Sequence, residues 1–514
     1  MIDARLVPDS QEEIPPGEAV AGMIRNGLGF AKRPLSLTPP FFANTPLDWL
    51  FREGVCAARF NRLKLGRTLE EVHAYGCDLL LSALALAVCA HEGLALRLHP
   101  LETTSFALTG AYGPDSDAQA MTITQGHAKA PRPDLQQAVL ARMVSQDGGV
   151  PFVRKSWEGN TSETTIVQER AAALLATFQR SPTPRYVVAD SKLSHADNAA
   201  NLQALGFITR MPNTLTLVSQ VIAPALRWDT WQRLDDPTRD HRVALCHYGM
   251  AQRWFVVSAD AAVQRAEATI NTAQQREAEA IEKPLLPWQA TRFETPEAAQ
   301  AALATLALAW HSHQVDAYSR LDHTRSAWKG RPTPTTPLKA IAWQRQAQVR
   351  PHDAPLRRRK QHQACFVVGT NMDASQGSDA EVIRASKGQA QAEGGLRFLK
   401  DPLCFVSSLF VKKPSRIQGL VMVMTGALLV YAVAQRRLRQ QLVRHNQAVP
   451  NHMHHPTQRP TLRWVFQLLE GIHRVRVTVQ GHVHDLIEGL NAVQITILRW
   501  FGEGVCRLYQ ISPG

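Results

Sequence analysis

The spacing of apolar residues divides the chain into a helical first part and a second part rich in strands. Over residues 1–95, apolar residues recur at helical spacing in the segments PGEAVAGMIRNGLGF and TLEEVHAYGCDLLLSALALAVCAHEG. The proline-rich loop KRPLSLTPPFF separates these segments. The pattern predicts a small helical module at the start of the chain.

From residue 97 onward the apolar runs are short and typical of strands. Three of them predict an antiparallel meander: LRLHPLETTSFALTG, LQQAVLARMVS and VPFVRKSWEG, the last two joined through the hairpin signal QDGG. A helix with Ser162 as its expected N-cap follows, then the strand RYVVAD, a helix near HADNAANLQAL and the strand GFITRMP. This alternation predicts a mixed α/β layer over residues 96–212.

Residues 213–365 interrupt this layer, and we interpret them as an α+β insertion domain. They contain a strand pair around HRVALCHYGMAQRWFVVSAD, two helical segments, and the basic, proline-bearing run RPTPTTPLKAIAWQRQAQVRPHDAPLRRRKQHQ. The strand ACFVVGTN then resumes the first layer over residues 366–440, with a helix from near Asp379 to about Lys400. Residues 441–514 are predicted to form a C-terminal tail with a polar, loop-like start.

One apolar run is long enough to cross a membrane. Ile417 to Gln435, IQGLVMVMTGALLVYAVAQ, is uncharged, but both flanks are basic and leave an orientation undetermined. Because the run directly follows a charged helix, we expect a buried core helix and no membrane association. A single-span membrane protein remains the alternative.

The charge balance indicates a polyanionic partner. Lys and Arg total 57 against 44 Asp and Glu, a net charge of +13, which favours nucleic acid over an acidic metabolite.

The seven cysteines are scattered without a CxxC pair, so neither a disulfide framework nor a zinc module is indicated. The start, MIDARLVPDSQEEIPPGEAV, has acids and prolines where a signal peptide is basic and apolar, and we expect a cytoplasmic protein.

Three carboxylates are candidates for chemistry. Glu102 lies inside a predicted strand, Asp190 at the C-terminal end of another, and Glu393 on a helix. Alone, Glu102 is typical of an edge strand with a solvated acid. Together, the three can converge on one sheet edge, where their oxygens suit two Mg²⁺ or Mn²⁺ ions. Two ions ~4 Å apart would polarise an attacking water and stabilise the leaving oxygen of a phosphodiester.

The helix around Glu393 carries further polar residues on the same face. Ser386, Gln389, Glu393, Arg397 and Lys400 recur every three or four positions, so an acid lies between an amide and two bases. A solvated face with an i,i+4 Glu-Arg pair would have the same pattern.

Three motifs resemble the DDE transposases of bacterial insertion sequences. They are Glu-Thr-Thr-Ser on the first strand, VVADSKLSHADNAANLQALGFITRMP around a second acid, and KGQAQAEGGLRFLKDPLCFVSSLFVKKPSRI around a third. The matching subgroup has a Tyr-Arg-Glu-Lys signature on its last helix and an insertion domain before it. The similarity extends to IDARLVPDSQE, NGLGF and TQGHAKAPRPDLQQ. Glu393 and Lys400 match the acid-to-lysine spacing of the family.

This resemblance implies an RNase H-like core, interrupted by the insertion domain and preceded by the helical module. Such a core nicks transposon ends and joins the freed 3′-hydroxyl to target DNA without a covalent protein–DNA intermediate. Glu102, Asp190 and Glu393 map onto the metal-binding acids, and Lys400 onto the lysine that contacts DNA near the cut. Arg397, on the same helix face, is added as a DNA contact.

The expected partners are double-stranded DNA, at inverted-repeat ends and target, and a second copy of the chain, because two ends must be paired. Residues 1–95 are predicted to bind the ends.

The sequence departs from the family at several positions. Ser386 replaces the signature tyrosine, and Gln389 replaces the arginine, although the closer subgroup favours glutamine there. Glu102 stands where the first acid is aspartate, which predicts impaired activity. The alternative is a catalytically inactive DNA-binding relative that occupies transposon ends. GHAKAPRPDLQQ is less polar than expected at Ala128, Ala130 and Pro131.

Two basic runs and one histidine cluster have open interpretations. The runs RRRK (357–360) and RRLR (436–439) are typical of solvated faces and become candidate phosphate contacts in a DNA-binding protein. The cluster NHMHH (451–455) is interpreted as a flexible loop and not a metal site.

Overall fold

The computed structural model describes residues 1–8, 12–29, 34–108, 112, 120–125, 135–179, 185–228, 231–235, 238–326, 338–400 and 411–513. The chain forms two compact units. Unit 1 comprises Met1–Thr209, Tyr248–Met250 and Thr370–Gly514, and unit 2 comprises Arg210–His247 and Ala251–Gly369.

Unit 1 begins with helices, which confirms the predicted helical module. They are α1 (Asp3–Leu6), α2 (Pro16–Leu28), α3 (Thr38–Phe42), α4 (Leu47–Leu50), α5 (Arg62–Tyr75) and α6 (Cys77–His91). The Asn61 side chain caps α5 by accepting the backbone N–H groups of Leu63 and Lys64. Val20, Leu69 and Leu80 place α2, α5 and α6 in one hydrophobic core.

The sheet of unit 1 and its helices comprise β1 (Leu98–Leu108), β2 (Thr124–Gln125), β3 (Gln136–Val144), β4 (Pro151–Glu158), α7 (Glu163–Gln179), β5 (Tyr186–Ala189), α8 (Ala199–Ala204) and β6 (Gly206–Arg210). The sheet has the strand order β2–β3–β1–β5–β6, with β4 also paired to β3. β3 pairs antiparallel with β4 and β1, whereas β5 pairs parallel with β1 and β6. The predicted meander and strands are confirmed, as is the cap of α7, where Ser162 Oγ accepts the Thr165 N–H at 3.0 Å.

Unit 2 combines helices with two strand systems. Its elements are α9 (Thr216–Trp228), β7 (Gln232–Asp235), β8 (Thr238–His247), β9 (Met250–Ala259), α10 (Asp260–Ala290), α11 (Pro296–Ala307), β10 (His313–Ser326), β11 (Leu338–Pro351), α12 (Asp353–Ala364) and β12 (Cys365–Thr370). β12, β9, β8 and β7 are neighbours in that order, and β10 pairs with β11 separately. This is the α+β composition predicted for the insertion.

The chain then completes unit 1. The remaining elements are α13 (Asp379–Lys400), α14 (Pro414–Arg444), β13 (Val449–Pro450), β14 (Pro456–Thr457), α15 (Leu462–Leu468), β15 (His473–Val479), β16 (His482–Glu488), α16 (Ala492–Arg499) and α17 (Glu503–Leu508). The residues predicted as a tail therefore begin within α14 and continue as short helices and a β15–β16 hairpin.

Helix α14 contains the apolar run that is long enough to span a membrane. In its most apolar window, 67% of the residues are buried inside the protein. The helix packs on α2, α5 and α6, and Ile417, Leu420 and Leu428 lie in the same core as those helices. Burial within unit 1 accounts for the hydrophobicity of this segment, as the core-helix interpretation predicts.

Candidate functional site

The strand register places two of the predicted acids beside each other. β1 and β5 are parallel neighbours in which Leu98 is paired with Tyr186 and Pro100 with Val188. Continuing that register by two residues sets Glu102 level with Asp190. Neighbouring strands lie about 4.8 Å apart, so Glu102 lies near the carboxyl end of β5, which Asp190 follows.

Asp190 is exposed and is the first residue after β5. Its Oδ1 atom accepts the backbone N–H of Lys192 at 3.1 Å, and its backbone carbonyl accepts the Thr209 hydroxyl at 2.7 Å. These bonds hold the turn at the carboxyl end of the strand, where open α/β sheets bind their ligands.

Glu102, in contrast, is buried. β1 lies between β3 and β5, and the Glu102 side chain is only 5% exposed. The interpretation as a solvated acid on an edge strand is therefore wrong. Glu102 is paired in register with Arg142 of β3, whose Nη2 atom lies 3.4 Å from Glu102 Oε2.

Arg142 is a site residue that the sequence did not reveal. Its side chain is completely buried, and this burial lowers the pKa of Arg142 to about 10, against the opposing influence of Glu102. The guanidinium therefore stays charged at neutral pH, and the two residues form a buried ion pair. The available signal was an arginine within the apolar strand LQQAVLARMVS.

The row of buried charge continues across the sheet. Arg142 is paired in register with Arg154 of β4, whose side chain is 1% exposed. Arg154 Nε lies 3.7 Å from Asp78 Oδ1 on α6, and Arg154 Nη1 donates to the Gln418 carbonyl at 3.4 Å. Burial raises the pKa of Asp78. Acids thus lie at both ends of this row, with two arginines between them.

Helix α13 packs against both strands that carry the acids, β1 and β5. Glu393, Arg397 and Lys400 lie on this helix, and their side chains are outside the described residues. Gln389 and Ser386, one and two turns before Glu393 on the predicted face, are half-buried. The spacing along the helix keeps the predicted polar face in one row.

Arg97 joins the start of α13 to the start of β1. Its Nη2 atom donates to the Gln376 carbonyl at 2.6 Å and lies 3.1 Å from Glu381 Oε1. The backbone N–H of Tyr186, on β5, donates to the Arg97 carbonyl at 2.9 Å. One residue therefore connects the three elements on which the predicted acids lie.

The donor set fits a divalent cation in part. The exposed carboxylate of Asp190 offers the oxygen ligands that Mg²⁺ and Mn²⁺ prefer. Glu102 reaches the same level of the sheet, but its carboxylate would have to exchange Arg142 for a cation. Among the described side chains, no group of three His, Cys, Asp or Glu residues could hold a metal; Glu393 is not one of those side chains.

The structure describes some of the other residues that the sequence singled out. Ala128, Ala130 and Pro131 lie outside the described residues. Arg357, Arg358 and Arg359 are exposed on α12 of unit 2. The segment 451–455 forms the turn between β13 and β14, and the His452 ring lies 6.4 Å from the Trp464 ring, edge to face.

Comparisons with known proteins add limited information. Residues 1–86 match the model of a family described as a domain of unknown function, DUF4277. No curated protein matches the chain. A solved structure of the piggyBac transposase synaptic complex with hairpin DNA aligns with a TM-score of 0.33 and 8% identity, covering 88% of this chain and 73% of that chain. At this level the likeness carries no argument about function.

Proposed function

We propose that the chain is a DDE transposase of a bacterial insertion sequence, which cleaves DNA strands at transposon ends and transfers them to target DNA. The observation that carries the proposal is the register of β1 and β5, which sets Glu102 level with Asp190, with the helix of Glu393 packed on both strands. The strand order of the unit 1 sheet and the three motifs quoted above support it.

In this proposal Glu102, Asp190 and Glu393 hold two Mg²⁺ or Mn²⁺ ions. Bound metal supplies polarisation of the attacking water and stabilisation of the leaving oxygen. Gln389, Arg397 and Lys400, on the helix that carries Glu393, contact the DNA near the cut. The net charge of +13 favours binding to the phosphate backbone in general.

The proposal extends to partners and location. Two transposon ends must be held together before transfer, so the active form is a homodimer on paired DNA ends. The N-terminal helices bind the inverted repeats. The protein acts in the bacterial cytoplasm, on the nucleoid.

A second candidate is an inactive relative that occupies transposon ends without cutting them. One observation favours it: the acid at the first metal position is glutamate and is engaged by Arg142 at 3.4 Å. In this case the protein binds DNA through the same surface, but Glu102, Asp190 and Glu393 do not catalyse cleavage.

A nicking assay separates the two candidates. The full chain is incubated with Mg²⁺ or Mn²⁺ and a labelled duplex carrying the terminal sequence of the element that encodes it. We expect weak nicking by the wild type, strongest in Mn²⁺, none by Glu393→Gln, and equal end binding by both. Glu503→Gln, on exposed α17, is the matched control and should cleave normally. End binding without nicks in either metal supports the inactive relative, and no binding to duplex DNA contradicts both.

A further inference from the structure

A cavity of about 470 Å³ in unit 1 is lined largely by arginines. It lies between the C-terminal half of α14, the turn that joins β3 to β4, and the segment before α15. Arg436, Arg439, Arg444 and Arg459 line it, together with one acid, Asp147. The excess of positive charge makes this groove a candidate for binding an anion.

The arginines of the basic run 436–439 have two different roles: some form ion pairs within the protein, and Arg439 lines the groove without an ion pair to any residue that the structure describes. Arg436 Nη2 lies 2.7 Å from Asp147 Oδ2, and its Nη1 lies 4.0 Å from Glu92 Oε2. Arg437 is also paired with Glu92. These two arginines therefore have acidic partners within the protein, and they attach α14 to its neighbours.

The other three arginines of the groove differ in this respect. Within the described part of the chain, no ion pair involves Arg439, Arg444 or Arg459. Arg439 is oriented by donating from Nε to the Pro460 carbonyl at 2.9 Å, while Arg444 and Arg459 are exposed at the rim. Three guanidinium groups thus line one opening without an ion pair of their own among the described residues, because the carboxylate of Asp147 is paired with Arg436.

The like charges also influence one another. Burial lowers the pKa of Arg439, and the neighbouring Arg459 lowers it further. An anion placed between them would relieve this repulsion. Guanidinium groups match the geometry of phosphate oxygens, with two parallel N–H donors for each phosphate.

We propose that this groove binds the phosphate backbone of duplex DNA, at a site separate from the acids. The inference rests on the proposed function only in taking DNA as the partner. Asp147 follows the C-terminal end of β3, and β3 is antiparallel to β1, so the groove lies towards the N-terminal ends of β1 and β5, whereas Asp190 follows the C-terminal end of β5.

The test measures binding of a 30-base-pair duplex of random sequence to the full chain in EDTA, at salt concentrations from 50 to 200 mM. The test variant is Arg444→Ala with Arg459→Ala. The control, Arg265→Ala with Arg507→Ala, removes two other exposed arginines and the same net charge. The conservative variant replaces Arg444 and Arg459 with lysine.

We expect the test variant to flatten the log–log salt dependence by about 2 and to bind roughly tenfold more weakly at low salt, because two phosphate contacts are lost. The control and the lysine variant should keep the wild-type slope. Equal slopes for test variant and wild type would overturn the proposal.

Two further outcomes have distinct meanings. A slope change seen only with an RNA hairpin would assign the groove to RNA and also overturn the proposal. Because the assay needs no cleavage, loss of slope in a protein that never nicks supports the groove while the proposed enzymatic function fails. Nicking by a test variant whose salt slope equals that of the wild type supports the proposed enzymatic function and overturns the groove proposal.

Discussion

Glu102 and Arg142 form a buried ion pair across neighbouring strands, with Oε2 and Nη2 3.4 Å apart. The position that the family resemblance assigns to the first metal-binding acid is therefore coupled to an arginine on β3. Because neither side chain is accessible to water, any change to one of them alters the stability of the sheet and the availability of the acid together.

Replacing Arg142 with methionine should destabilise the protein strongly. The change leaves the Glu102 carboxylate buried without its guanidinium, and breaking a buried pair from one side costs about 3–5 kcal/mol. Adding Glu102→Gln removes the buried charge that has lost this guanidinium and should recover most of the loss. Urea unfolding followed by circular dichroism measures both variants, and a loss below ~1 kcal/mol for Arg142→Met would contradict a structural role for the pair.

Replacing Glu102 with aspartate should increase DNA nicking in Mg²⁺. The shorter side chain moves the carboxylate by ~1 Å or more, and displacements of about 1 Å in a reacting constellation change rates on the order of 100-fold. Mn²⁺ should narrow the difference, since Mg²⁺ demands stricter geometry. The assay compares Glu102→Asp, Glu102→Ala and the wild type at equal end binding. Equal cleavage by the wild type and Glu102→Ala would remove Glu102 from the site.

His99 should make stability fall as the pH decreases. Burial lowers the pKa of His99 to about 3, and its ring lies 5.2 Å from that of Phe152, edge to face. Between pH 6.5 and 3 the unfolded chain binds a proton that the folded chain does not, so the free energy of unfolding decreases by up to about 1.4 kcal/mol per pH unit.

His99→Gln should remove this contribution, whereas His482→Gln, at an exposed position, should not. Urea unfolding at pH 7, 6 and 5 measures the slopes. Identical slopes for the wild type and His99→Gln would show that His99 is not the group responsible.

Gly419 should resist substitution because it lies where α14 crosses α5. A Cβ atom at this position would lie 2.5 Å from the Leu69 carbonyl oxygen, which belongs to a rigid backbone. Gly419→Ala should therefore destabilise by about 1–3 kcal/mol. Gly426→Ala on the same helix meets only the end of the Ile24 side chain, at 3.3 Å, and is the control. Thermal unfolding distinguishes them, and equal melting temperatures would contradict the close crossing.

The strands and the helix that carry the predicted acids could be predicted from the local spacing of apolar residues in the sequence. A short strand-like run indicated β1, the apolar run RYVVAD indicated β5, and helical spacing indicated α13. Strands β10 and β11 were missed because polar residues occupy much of HQVDAYSRLDHTRS and LKAIAWQRQAQVRP.

The partner of Glu102 could not be predicted in the same way. Arg142 is 40 residues away, and the antiparallel register that brings the two together depends on tertiary packing. The roles of α14 and its arginines could not be predicted either. A core helix and a membrane span have the same apolar sequence pattern, and a solvated face and a phosphate-binding face have the same basic pattern.

The long insertion delays the synthesis of α13 relative to that of β5. Asp190 and Glu393 are separated by roughly 200 residues, and ribosomes add about 5–20 residues per second, so α13 follows β5 by roughly 10–40 s. During that interval the nascent chain presents β1 and β5 without the helix that packs on them, and Arg97 without Gln376. The sheet face that α13 covers in the folded protein stays uncovered until the whole of unit 2 has been made.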